Sequence, residues 1–206
     1  MIWWSTGSEN PYTHVWDPLP SFFHRLEPAR DRGQPKAMSE ILKPQSTERI
    51  ELLSGRKVTL SKATLLFRKW AGETPPDTFN GKPLIELNGE MVFAELAILR
   101  SFQQAGWDGR WIDSFHHRYL TNYWPVPVSE PLPAKQQLVF DRIRSKAGGT
   151  GGCFDVFCWR GGELLFAESK WHDRILKTQT QWLEAALDVG IPIESFLIVQ
   201  WGFESP

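Results

Sequence analysis

The sequence predicts an α/β protein with a mixed central sheet flanked by helices, and three observations carry that prediction. The segment Gly151–Lys170, GGCFDVFCWRGGELLFAESK, sets two runs of strand-forming residues around Gly161-Gly162. Such a pair signals a two-residue hairpin turn, because both central positions favour positive φ. Glu90–Gln104 and Asp173–Asp188 each space their apolar residues as a helix does. Ile193–Phe203, IESFLIVQWGF, is an apolar run of strand length. Helix, strand, hairpin, helix and strand in alternation belong to an α/β architecture rather than to segregated layers.

The elements follow in order. Residues 1–48 are rich in Pro, Ser and charge with little periodicity, and read as irregular chain laid on the core through Trp3, Trp4, Trp16, Phe22 and Phe23. From Ile50, IELLSGRKVTLSKATLLFRKW predicts a short strand, a turn at Ser54-Gly55, a second strand and a helix capped near Ser61. Arg56, Lys57, Lys62, Arg68 and Lys69 make this stretch locally basic. That suits contact with a nucleic-acid backbone, although a solvated helix face is the usual meaning of such charges. AGETPPDTFNGKP is a loop. Residues 1–80 therefore form an N-terminal extension and residues 81–206 the core domain.

The first core helix, closed by Gly106, has Met91, Val92, Ile98, Leu99 and Phe102 as its apolar stripe, and Glu95 falls within it. A buried Glu is costly unless paired or bound. Either it reaches solvent or an Arg, or it serves a site. PVPVSEPLP is another loop, and AKQQLVFDRIRSK another helix. In the second core helix Gln179 shares the inner face with Leu176 and Leu183, either hydrogen-bonded within the core or part of a site, and Arg174 one turn earlier is available to a phosphate or to solvent.

The hairpin holds the densest chemistry. A turn at Gly161-Gly162 pairs Trp159 with Leu164, Phe157 with Phe166, and Asp155 with Glu168. Alternation then puts Cys153, Asp155, Phe157 and Trp159 on one face with Leu164, Phe166, Glu168 and Lys170. Two facing acids repel, so a cation must offset them. Lys170 can do so within a salt-bridge cluster. Alternatively, a divalent metal takes two carboxylates and a backbone carbonyl as hard oxygen ligands, as Mg²⁺ or Mn²⁺ does.

Asp155, followed after a short gap by Glu168-Ser169-Lys170, resembles the PD-(D/E)XK phosphodiesterase superfamily of restriction and repair nucleases. Phe154 stands where the family name has proline. Gln179-x-x-Trp182-Leu183 after the ESK triplet is similar to the virus-type replication-repair (VRR-NUC) branch. The resemblance covers roughly Gly89 to Gly202 and implies a restriction-endonuclease-like core and Mg²⁺-dependent hydrolysis of DNA. It implies that Asp155, Glu168, the Ser169 carbonyl and Glu95 hold the metal, that Lys170 orients or activates the attacking water, and that Gln179 completes the site.

Composition sets the outer limits. The 206 residues are 41% hydrophobic, enough for a globular core, and the formal net charge of −1 excludes a strongly basic nucleic-acid binder without excluding a nuclease. No run approaches a membrane span and the start lacks a signal-peptide pattern, so a cytoplasmic protein is expected. DNA is the expected partner, with a protein partner or homo-oligomer left open. Cys153 and Cys158 project to opposite faces of one strand, and His116, His117 and His172 lack metal-ligand spacing. Eleven tryptophans are either core residues or stacking platforms for bases.

Overall fold

The computed structural model describes residues 43–76, 78, 79 and 81–205, so Trp3, Trp4, Trp16, Phe22 and Phe23 lie outside the described residues. Strands β1 (Ser46–Glu51) and β2 (Lys57–Lys69) form an antiparallel hairpin through Ser54-Gly55, where Gly55 adopts φ 81°. The helix expected from Ser61 is instead the continuation of β2. Burial there has period two: Ala63, Leu65 and Phe67 are buried while Thr64, Leu66 and Arg68 face out, Leu66 being 63% exposed. A second difference lies just downstream. Asn88 and Gly89, both at positive φ, turn β3 (Ile85–Leu87) into β4 (Glu90–Val92), so Met91 and Val92 belong to a strand and the helix α1 is shorter, Ala94–Gln104.

Then come β5 (Asp108–Asp113), β6 (Arg118–Asn122), β7 (Val128–Ser129), the helix α2 (Ala134–Ala147), and the hairpin strands β8 (Val156–Arg160) and β9 (Glu163–Lys170). The second core helix, α3, covers Lys177–Asp188 and begins later than the apolar spacing implied, because the chain before it is irregular and its N-cap, Leu176, is extended. A single 3-10 turn, Ile193–Ser195, leads into β10 (Phe196–Phe203).

The strands form one mixed sheet of ten in the order β4-β3-β2-β10-β9-β8-β5-β6-β7, with β1 also on β2. At its centre β2, β10 and β9 run parallel, and β8, β5, β6 and β7 continue it antiparallel. Residues before position 80 thus share a sheet with those after it. The Gly161-Gly162 turn sets the hairpin register as expected, with Trp159 opposite Leu164 and Phe157 opposite Phe166.

Alternation along these strands feeds two cores. One face packs Val156, Cys158, Ala167, Leu197 and Val199 against α1, and the other packs Phe157, Phe166, Phe196 and Ile198 against α2 and α3. Cys153 and Cys158 are buried in opposite cores. Gly152, at φ 79°, comes so close to α3 that a Cβ would lie 2.2 Å from the Thr178 backbone. The close approach that this glycine permits is to the helix, and it anchors the chain just before Asp155. No helix among the described residues is long and apolar enough to cross a membrane.

Candidate active site

The parallel strand β9 ends at Lys170, and there a pocket of about 290 Å³ opens between the first turns of α1 and α3. Asp155, Glu168, Ser169 and Lys170 line it from the hairpin, Glu95 from α1 and Gln179 from α3. Side chains expected at one site from widely separated parts of the sequence are therefore neighbours.

Each is placed by local structure. Asp155 lies one residue before β8, just beyond the last ladder pair, Val156 with Ala167. Its backbone carbonyl accepts the Ile112 N–H at 2.7 Å, and its carboxylate Oδ2 accepts the Ser169 N–H at 3.0 Å. Glu168 and Lys170, two apart on β9, point to the α3 face and are only 1% and 3% exposed. Lys170 Nζ stands 3.1 Å from Glu168 Oε1 and donates to Asp173 Oδ2 and Gln179 Oε1, both at 2.9 Å. Gln179 links the set: its amide donates to Glu168 Oε1, and its Oε1 also accepts the Leu176 N–H at 2.8 Å, holding the entry to α3.

Glu95 enters from the opposite face of the sheet. Its carboxylate is bound by Lys82, a residue of the loop before β3 that sequence reasoning passed over. The Lys82 ammonium lies 5.5, 5.9 and 5.3 Å from the ring centroids of Phe79, Phe93 and Trp111. Cation–π attraction thus holds it over the pocket from behind. No periodicity marks a loop lysine; only the fold reveals it. Asp173, read as the start of a helix, is likewise a pocket residue.

The balance of charge remains unsatisfied. Burial, then repulsion from Glu95, pushes Asp155 up to about 6 despite Lys82 and Lys170 nearby. Burial and then Asp155 push Glu168 well above the usual carboxylate range. Burial opposes the charge on Lys170, but Glu168 and Asp173 outweigh it, and the ammonium is held above its ordinary value. Lys82 is raised in the same way, with burial outweighed by Glu95 and Asp155. In both lysines the charged form is thus the one the surroundings favour.

A divalent cation fits this donor set. Glu168 Oε2 is buried and has no hydrogen-bond partner among the described residues, which leaves a costly orphan acceptor. No group of three His, Cys, Asp or Glu side chains among the described residues is placed to hold a metal. Mg²⁺, however, commonly takes one or two carboxylates and fills its shell with water and phosphate oxygen. Asp155 and Glu168 both line the pocket and offer carboxylates of that kind, and Ser169 lines the same pocket.

The basic residues expected at the substrate do not join them. Lys62 lies two strands from Glu168, across Ile198, and pairs with Glu48 at 3.1 Å. Arg68 meets Glu204 at 3.4 Å and Glu86 at 3.9 Å, while Lys69 is exposed beside β3. Arg174 is exposed in the segment between β9 and α3 and does not line the pocket. Compared with protein-family models, curated proteins and solved structures, the chain matches none.

Proposed function

We propose that the protein is a metal-dependent nuclease that hydrolyses DNA phosphodiester bonds, on a restriction-endonuclease-like core of the PD-(D/E)XK kind nearest the VRR-NUC branch. The observation that carries this reading is the meeting of Asp155, Glu168 and Lys170 in one pocket, with Glu168 Oε2 buried and without a hydrogen-bond partner among the described residues. Glu95 and Gln179 on the same walls add support.

Asp155, Glu168 and the Ser169 carbonyl would hold Mg²⁺ or Mn²⁺, with Glu95 reaching it directly or through water. When bound, the cation supplies neutralisation of the phosphate charge and lowers the pKa of water. Lys170, whose neighbours favour its charged form, would act as a positioned cation toward charge that develops on the phosphate. An ammonium has three donors, and those of Lys170 face Glu168, Gln179 and Asp173. Of these only Asp173 is exposed, so it is the partner that substrate would displace.

The test is cleavage of linear, circular, flapped and four-way DNA with Mg²⁺ or Mn²⁺, beside folded Asp155→Ala protein. Metal-dependent cutting that disappears in the variant is expected. Intact folded protein that cuts none of these and binds neither metal would leave the acids as a structural cluster.

One observation favours a second reading, a nucleic-acid-binding or assembly module without chemistry: Lys170 and Lys82 already pair with the acids. Lys170→Ala separates the two. A nuclease loses cutting while retaining DNA binding, whereas a module binds DNA and cuts in neither form.

A further inference from the structure

One wall of the pocket has no part in the chemistry above. Trp171 follows Lys170 directly and is 37% exposed, a large apolar surface on the rim of a polar pocket. Its ring lies on that of Trp201, centroids 5.4 Å apart and planes within 7° of parallel. Trp201 is itself only 6% exposed and is fixed by donation from its Nε1 to Ser169 Oγ at 3.0 Å. Gln200 holds the backbone beneath, donating to the carbonyls of Lys170 and Trp171. The exposed ring of His172 leans on Trp171 at 4.7 Å and 32°, where an incoming ring can displace it.

We propose that Trp171, backed by Trp201, is a stacking platform for an unpaired nucleobase, so that the pocket selects single-stranded over continuous double-stranded nucleic acid. This rests on the nuclease reading and names its substrate class. Within a duplex both faces of every interior base are covered by neighbouring bases. A tryptophan fixed in the pocket wall can stack only on a base that has left that arrangement. Trp171 and Lys170 are consecutive and line the same pocket, so a phosphate at Lys170 brings its adjoining base to the platform. Rigid backing also limits the entropy lost when the base arrives.

The experiment compares wild type, Trp171→Ala and Trp171→Phe. Binding of labelled single-stranded and duplex DNA of one sequence is followed by anisotropy in EDTA, and kcat/KM for both is measured in Mg²⁺. Wild type should favour the single strand in both measurements. Trp171→Ala should weaken single-strand binding by about fivefold or more, the scale of one lost base stack, with duplex binding unchanged and Trp171→Phe in between. Variants that cut and bind like wild type, or that lose both substrates equally, overturn the platform and leave the nuclease reading intact. Selective binding that depends on Trp171 without any cleavage supports the platform and overturns the nuclease reading. No binding to either DNA together with no cleavage of either in Mg²⁺ overturns both.

Discussion

Burial and the Glu95 carboxylate raise Asp155 from 3.8 to about 6, and that shift has a measurable sign. The folded protein holds this proton more tightly than the unfolded chain, so the contribution of Asp155 to stability falls as pH rises from about 4 to about 6. In urea titrations Asp155→Asn should gain on wild type across that window; a constant difference would contradict the shift. On the proposed reading a divalent metal would act in the opposite sense, because it would bind the deprotonated carboxylates. Near neutral pH, Mg²⁺ or Mn²⁺ should raise the Tm of wild type and leave that of Asp155→Asn unmoved. Gln179→Ala deletes the link between Glu168, Lys170 and the start of α3. Leaving buried polar groups unpaired costs roughly 1–3 kcal/mol, which denaturant unfolding would detect. The pocket residues Glu95 and Gln179 were legible because each is a polar residue whose neighbours in the pattern are apolar, and Glu168 and Lys170 because they end an apolar strand run. Lys62, Arg68, Lys69 and Arg174 offered charge without such a background, and charge alone carries no position. Lys82 offered neither signal, because its loop has no period and its partner, Glu95, is reached only through the fold.

At the scale of elements, β2 shows why a strand can read as a helix. Its apolar residues occur on both faces, since Leu60 serves one core and Ala63, Leu65 and Phe67 the other, and local spacing then imitates a helical stripe. Pairing with β10 on one edge and with β1 and β3 on the other decides the outcome. Leu65→Ala should therefore cost about 2–5 kcal/mol, while Leu66→Thr should change stability by no more than about 0.5 kcal/mol. Equal effects would restore the helix. The β8–β9 hairpin was legible to the residue because two glycines fix its turn, whereas the equivalent Asn88-Gly89 signal was masked by the helical spacing that follows it. Gly152 bears on the site through packing. Gly152→Ala forces a Cβ into the backbone of α3, whereas Gly151→Ala meets nothing within 4 Å. A large fall in Tm for the first and almost none for the second is expected.

For the molecule as a whole, alternation of helices and strands was enough to give the α/β class, but not the extent of the sheet. A boundary at residue 80 looked natural because a Pro- and Gly-rich loop lies there. The central position of β2 depends on long-range pairing with β10, which no local pattern contains. A chain beginning at residue 81 would expose one whole edge of β10 and remove Leu60, Ala63, Leu65 and Phe67 from the two cores. Such a fragment should lack cooperative thermal unfolding, and a sharp transition near that of the full chain would show that β2 is dispensable. The rims of this broad sheet have a consequence of their own. β7 is two residues long between Pro127 and Pro131, β4 is three residues long, and β1 carries Glu48, Arg49 and Glu51. Short, proline-bracketed or charged margins make poor templates for a further strand. Concentrated protein thus has little opportunity to grow into fibrils edge to edge, even though ten strands among the described residues join in one sheet.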